Sequence, residues 1–360
     1  MSGLGGGRLR IGDVTVGGRV LTAPMTGVTD LPFRRAASRL GAAYVSTEMV
    51  ACADFACGRP DVVRRAAVGD GLPLMVVQLL GADPATVAQG VRLATTAGAD
   101  LIDLNMGCPS KEVVGAACGA ALMRTPELAE RIVAAAVEAT DRPVTVKMRL
   151  GWDTHTACDL ALRAERAGAA ALTVHGRTRN QFYTGRADWS AVAAVKAAVR
   201  LPVIVNGDIL DAADATEALR LSGADAVMLG RGVYGRPWAA AGIDAALAGA
   251  PWAEPDAEPR LGIVLDHMAD ALAFYAEPHG LRLFRKHLGW YVERAPWPAA
   301  AEVRRTAKAR LCRLDSASEV ERALVALWAS EAVTEAAKGP ALALGSAPSY
   351  NAPVSAGGAA

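Results

Sequence analysis

Short apolar runs rich in Val, Ile or Leu recur along the chain, each followed by a polar loop and an Ala-rich helical stretch. The runs begin at Val20, Ala43, Leu74, Leu101, Val144, Ala171, Val203 and Ala226. Almost every position within a run is apolar, so neither face meets water. That is the signature of parallel strands covered by helices on both sides. Between the runs the periodicity predicts helices over 84–97, 126–140, 158–167 and 212–221. Three helices end on a glycine, at Gly98, Gly168 and Gly223, and a strand follows at once. Glycine there accepts positive φ and stops the helix.

Eight strand–helix units within about 240 residues predict a TIM (β/α)8 barrel. A doubly wound open sheet is the alternative. It is weakened because Ala23-Pro24-Met25-Thr26-Gly27 follows the first run, where a dinucleotide fold needs Gly-x-Gly-x-x-Gly. After Trp238 the pattern changes. The segment 251–259 is rich in Pro, Ala and acid and reads as a linker. Beyond it the period is helical, with no β-rich run. The expected division is a flexible N-terminus over 1–10, a barrel over 11–245 and a linker over 246–260. An all-helical C-terminal domain follows over 261–335. The tail 336–360, made of Gly, Ala, Ser and Pro without period, is expected to be disordered.

Composition narrows the function. With 52% hydrophobic residues among 360, one large core and a smaller one can be built. The net charge of +1 sets up no global field toward nucleic acid, so any polyanion site must be a local patch. No uncharged apolar run of about 18 residues occurs, so no membrane span is expected. The Gly-rich start lacks the apolar core of a signal peptide, and a cytoplasmic protein is expected. The six cysteines, Cys52, Cys57, Cys108, Cys118, Cys158 and Cys312, are scattered without a Cys-x-x-Cys pair. They read as reduced thiols, and no metal site is expected.

The chemistry of such a barrel gathers where its strands end. Here polar residues terminate nearly every apolar run: Pro24-Met25, Glu48-Met49, Gln78, Asn105 to Cys108, Lys147-Met148-Arg149, His175-Gly176-Arg177, Asn206-Gly207-Asp208 and Gly230-Arg231-Gly232. The last two follow strands seven and eight, the usual phosphate position. Their glycines permit close backbone approach and Arg231 supplies a cation. Lys147 could stabilise the anionic ring of a reduced flavin from inside the mouth, or lie along the surface as a solvated cation. Gln78 and Asn105 can pair with a flavin or uracil edge. His175 suits a cofactor phosphate or ring, with a base, a metal ligand or a satisfied core histidine as the alternatives. Cys108 closes an apolar strand, either as a catalytic thiol or as a small core residue.

Taken together these strings resemble the tRNA-dihydrouridine synthases. The matching text is Ala23-Pro24-Met25-Thr26-Gly27-Val28-Thr29-Asp30, Asn105-Met106-Gly107-Cys108-Pro109, Lys147-Met148-Arg149, Val174-His175-Gly176-Arg177-Thr178, Val205-Asn206-Gly207-Asp208-Ile209 and Arg285-Lys286-His287-Leu288-Gly289-Trp290-Tyr291. The likeness covers roughly 10–330 in the family's order, and its C-terminal part looks most like the bacterial DusB-type branch. It implies FMN in the barrel, NADPH as reductant, and reduction of the C5–C6 double bond of a uridine in tRNA. It also implies FMN contacts at Pro24, Met25, Thr26, Gln78, Lys147, His175, Asn206, Gly207, Asp208, Gly230 and Arg231. Cys108 would be the proton donor. Hydride from flavin N5 would reach uracil C6, and a proton must then reach C5. A neutral thiol at an apolar strand end can supply it.

A target uridine must be turned out of folded tRNA, and the barrel mouth then needs a basic wall. Between Leu281 and Arg313 the only acids are Glu293 and Glu302, against many Lys and Arg. Arg282, Arg285 and Lys286 are the leading RNA contacts there, with Asn105, Arg177 and Arg179 from the barrel. Trp290, Tyr291 and Trp297 could stack on bases or form the helical core. No obligate protein partner is evident. The rival readings are a flavin barrel oxidoreductase for a small molecule and a non-catalytic RNA-binding protein. The first leaves the basic helices unexplained, the second Lys147 and Cys108.

Overall fold

The computed structural model describes residues 8–69, 71–297 and 300–329. The first seven residues and the tail 336–360 lie outside the described residues. A hairpin of β1 (Leu9–Ile11) and β2 (Val14–Val16) opens the described chain. Eight parallel strands follow: β3 (Val20–Thr22), β4 (Val50–Ala51), β5 (Val76–Leu80), β6 (Leu101–Met106), β7 (Val144–Arg149), β8 (Ala171–His175), β9 (Val203–Asn206) and β10 (Ala226–Leu229). Their order is β3-β10-β9-β8-β7-β6-β5-β4, and a parallel bridge from Thr22 to Val45 closes the ring.

The helices on the outside are α1 (Leu31–Arg39), α2 (Cys52–Ala56), α3 (Pro60–Arg65), α4 (Pro84–Thr96), α5 (Lys111–Gly115), α6 (Pro126–Glu138), α7 (Ala157–Arg166), α8 (Val192–Ala198), α9 (Ala212–Ser222) and α10 (Ala239–Leu247). Asp30, Asp83 and Asp211 cap α1, α4 and α9 by accepting backbone N–H groups of their first turns. Gly98, Gly168 and Gly223 all take positive φ at the helix ends, as expected. The all-helical C-terminal domain comprises α11 (Ala257–Tyr275), α12 (His279–Arg294), α13 (Ala301–Leu311) and α14 (Ala317–Trp328). Its first helix starts inside the stretch expected as linker, because the residues after Asp256 carry helical periodicity into α11.

Two differences from the sequence reading have clear causes. The N-terminus is ordered from Leu9, within the stretch expected to be flexible. Leu9, Ile11 and Val16 plug the bottom of the barrel against Leu21, Val76, Leu101, Ala171, Ile204 and Ala226. The second strand is broken. Val45 and Ser46 make isolated bridges, and regular pairing resumes only at Val50. Between them the Thr47 hydroxyl stands in for a backbone carbonyl and accepts the Gln78 N–H at 2.9 Å.

Each strand divides its side chains between two cores, as pleating requires. Val144, Val146 and Met148 of β7 join the large core beneath the helices, with Ile102 and Leu104 of β6, and Leu172 and Val174 of β8. The alternate residues face the barrel axis. They are apolar at the bottom, where Leu101, Ala171, Ile204 and Ala226 lie. Toward the top they turn polar: Gln78, Asp103, Asn105, Thr145, Lys147, Thr173, His175 and Asn206.

Candidate active site

The polar upper layer is hydrogen-bonded in two adjacent sets. Strand register sets Asn105 beside Lys147, Lys147 beside Thr173, and His175 beside Asn206. Lys147 Nζ donates to Asn206 Oδ1 at 3.0 Å, and Asn206 Nδ2 donates to the Met228 carbonyl at 2.8 Å. Asn105 Nδ2 donates to Gln78 Oε1 at 2.8 Å, and Gln78 Nε2 donates to Asp103 Oδ2 at 2.7 Å. Thr145 donates to the other Asp103 oxygen, also at 2.7 Å. Gln78 thus braces Asn105, and its second amide hydrogen is left over from these bonds. Burial raises the Asp103 carboxyl to about 6, opposed by Thr145, Gln78 and Lys147.

Cys108 sits on the loop that leaves β6. Asn105 Oδ1 accepts the N–H groups of Gly107 at 3.2 Å and Cys108 at 2.9 Å. Gly107 packs against the β7 backbone at Lys147 and Met148, and Arg149 Nε donates to its carbonyl at 2.9 Å. The thiol is half-buried and unpaired with another sulfur. Its setting is more electropositive than an apolar strand end suggests, since Lys147 and Arg149 both lie near it. Desolvation lowers the Lys147 ammonium to about 8, opposed chiefly by Asp103. His175 is pushed well below its ordinary range by burial and then by Arg149, Lys147, Arg177 and Arg231, so it is a neutral imidazole.

At the ends of β9 and β10 the backbone forms a cradle. Gly207 takes φ +114°, and a Cβ there would meet the His175 ring at 2.9 Å. A Cβ on Gly232 would meet the Ile209 carbonyl at 2.8 Å, whereas Gly230 faces open space with Met25 Sδ 4.0 Å away. Of the β3–α1 loop residues Pro24, Met25 and Thr26, Met25 is the one that approaches Gly230, and Thr26 is exposed. Asp208, expected as a cofactor contact, is engaged by protein cations. Its carboxylate pairs with Arg177 Nη2 at 2.5 Å and Arg231 Nη2 at 2.9 Å, and accepts the Ala187 N–H. It positions the guanidinium of Arg231, which is the cradle's cation.

Arg177, expected on the RNA surface, is 1% exposed. Besides Asp208, it binds the Thr184 and Gly185 carbonyls, and it staples the β8–α8 loop. Arg179 is half-buried over the Trp152 and Phe182 rings. In the helical domain Arg282 is exposed beside His279, while Arg285 donates to the Leu314 carbonyl at 2.9 Å and ties the α13–α14 turn. Tyr291 and Trp297 are core, and Trp290 stacks on Tyr234 of the barrel at 3.9 Å between centroids.

Lys286 reaches the barrel mouth, its Nζ 2.7 Å from where a Cβ on Gly27 would lie. There it meets a buried polar junction formed by Glu48, Asp30, His267 and His287, residues that the sequence places in separate segments. Glu48 Oε1 accepts the Gly27 N–H at 2.5 Å. Asp30, His267 and His287 place ligand-type atoms within 4.8 Å of one another. Both histidines are driven far down by burial and are neutral, and burial raises Asp30 to about 6. The junction joins α1 to α11 and α12, beside the loop of Met25 and Thr26.

The profile of the family described as "Dihydrouridine synthase (Dus)" matches residues 21–327. The chain belongs to the dihydrouridine synthase family. It is thereby an oxidoreductase. A relative named "Probable tRNA-dihydrouridine synthase" from Rhodobacter capsulatus is 50% identical over 297 residues, covering 79% of this chain and 90% of its own. The "tRNA-dihydrouridine synthase B" of Xanthomonas campestris is 43% identical over 302 residues, covering 81% and 89%. Among solved structures, histamine dehydrogenase from Rhizobium sp. 4-9 is similar with TM-score 0.51 at 13% identity, over 73% of this chain and 50% of that one. A 6-hydroxypseudooxynicotine amine oxidase from Pseudomonas geniculata gives TM-score 0.50 at 14% identity, over 67% and 49%. These two likenesses show the barrel fold. No helix among the described residues is long and apolar enough to cross a membrane.

Proposed function

We propose that this protein reduces the C5–C6 double bond of a uridine in tRNA to 5,6-dihydrouridine, with FMN in the barrel mouth and NADPH as reductant. The observation that carries the reading is the placement of Cys108 beside a half-buried, desolvated Lys147 and a braced Asn105, above an apolar barrel floor. Family membership and the relatives' names support the substrate.

The residues present fit a flavin mononucleotide. The glycine cradle at Gly207 and Gly230 leaves backbone room for a phosphate, and Arg231, fixed by Asp208, supplies its counter-charge. Neutral His175 offers one ring N–H donor and one ring nitrogen acceptor there. Lys147 and Asn206 offer a cation and an amide to the polar edge of the ring, and Met25 packs from the facing loop. When bound, the flavin would supply a hydride to uracil C6. Asn105 would align the uracil edge, its side chain locked by Gln78 and by the loop N–H groups. Cys108 would donate its Sγ proton to C5, and the nearby cations would stabilise the thiolate left behind.

The test is dihydrouridine formation, read by nucleoside mass spectrometry, on unmodified tRNA with purified protein and NADPH. Product is expected. A yellow protein that oxidises NADPH yet makes no dihydrouridine is a flavin reductase for another substrate. A colourless, inactive protein that binds tRNA is an RNA-binding protein.

A further inference from the structure

Guanidinium groups and aromatic rings form a continuous line of contacts from the phosphate cradle to the outer rim of the barrel. Arg231 lies over Tyr183, its Cζ 5.9 Å from the ring centroid. Tyr183, 52% exposed, meets Phe182 edge-on at 6.2 Å. Phe182 carries Arg179 at 5.4 Å, Arg179 also covers Trp152 at 4.7 Å, and Arg124 covers Trp152 at 5.0 Å. The line ends at a concavity of about 560 Å³ lined by Met123, Arg124, Trp152, His155 and Cys158.

Apart from Arg231, which follows β10, these residues lie on connections that leave β6, β7 and β8 at the same barrel end as Cys108 and Lys147. The loops are tied together, since Arg179 N–H donates to Gly151 O and Asn180 N–H to Trp152 O. The helical domain docks on the other side. Trp290 stacks on Tyr234 just after β10, and Lys286 meets Gly27 just after β3. In the closed ring order, β6 and β7 lie diametrically across from β10 and β3. The mouth is therefore flanked by the helical domain on one side and by the arginine–aromatic line on the other.

We propose that this line is a second tRNA-binding surface, which grips the strand flanking the target uridine from the side opposite the helical domain. This rests on the proposed action on tRNA. Its chemistry suits RNA because guanidinium groups pair with phosphates, while their outer faces and the rings accept unstacked bases. Of the two acids that line the concavity, Asp159 is paired with Arg163, which leaves Asp153 against Arg124 and Arg179. Protein–protein docking is the less favoured occupant, because the line leads to the phosphate cradle itself.

The test is tRNA affinity of the full-length flavoprotein, by filter retention across a salt series. The variants are Arg124→Glu, the double variant Arg124→Ala/Arg179→Ala, and Arg142→Ala as control. Arg142 precedes β7 at the far end of the barrel. Flavin absorbance and thermal midpoint report folding. The rim variants are expected to bind about tenfold more weakly, and the double variant to lose about two units of salt slope. The control is expected to match wild type. Unchanged affinity in the rim variants, or an equal loss in all three proteins, overturns the rim surface while leaving the proposed reaction intact. A wild-type protein that binds no tRNA overturns both.

Discussion

At the residue scale, two side chains separate the proposed chemistry from mere burial. Cys108→Ala removes the proton donor but leaves the loop bonds from Asn105 Oδ1, which go to backbone N–H groups. Dihydrouridine formation is expected to fall by roughly 10²-fold or more, with flavin content and tRNA affinity retained. Activity at the wild-type rate removes Cys108 from the mechanism. Lys147 gives a pH signature. Desolvation lowers its ammonium to about 8, so the cation is present below that pH and lost above it. FMN affinity of the apoprotein is expected to weaken as pH rises through about 8, and in Lys147→Met to be weaker and flat across that range. Isothermal titration at several pH values checks this. The sequence named Lys147 but left its direction open, because its neighbours Val146 and Met148 suit either face. The pleat decides it: both neighbours lie in the outer core, so Lys147 faces the axis.

At the element scale, the apolar runs and glycine stops located most strands and the long helices, because burial on both faces leaves so plain a pattern. The second strand was harder. Its run from Ala43 looks continuous, yet Thr47 interrupts it by bonding through its hydroxyl. That break lets Glu48 reach Gly27. Thr47→Val keeps the shape but leaves the buried Gln78 N–H without its acceptor. A loss of about 1–3 kcal/mol is expected from urea unfolding, with weakened flavin retention because Gln78 braces Asn105. The N-terminal hairpin was hidden by its Gly-rich lead, which masks a short alternation whose apolar residues fill the barrel floor.

At the scale of the whole molecule, the barrel and helical domain meet through the polar junction at Asp30. Burial, and to a lesser extent Glu48, raises this carboxyl to about 6 from the ordinary 3.8. The folded state therefore holds its proton more tightly than the unfolded chain. The contribution is full below about pH 4 and is lost as pH rises through about 6. Asp30→Asn keeps an oxygen for the Phe33 N–H yet carries no charge. Its thermal midpoint is expected to exceed wild type above pH 6, by an amount worth no more than about 3 kcal/mol, and to converge with it near pH 4. A midpoint below wild type at neutral pH would show that the charge is favourable there. The chain by itself determined the barrel, the helical appendage and the residues at the strand ends, since burial periodicity and strand termini are local properties. Only the tertiary structure decided that Arg177 is an internal staple, that Asp208 serves Arg231, that Lys286 reaches the mouth, and that Arg124 lines up with Arg231. These depend on which loops the closed ring brings side by side, and no local period encodes contacts between residues so far apart in sequence.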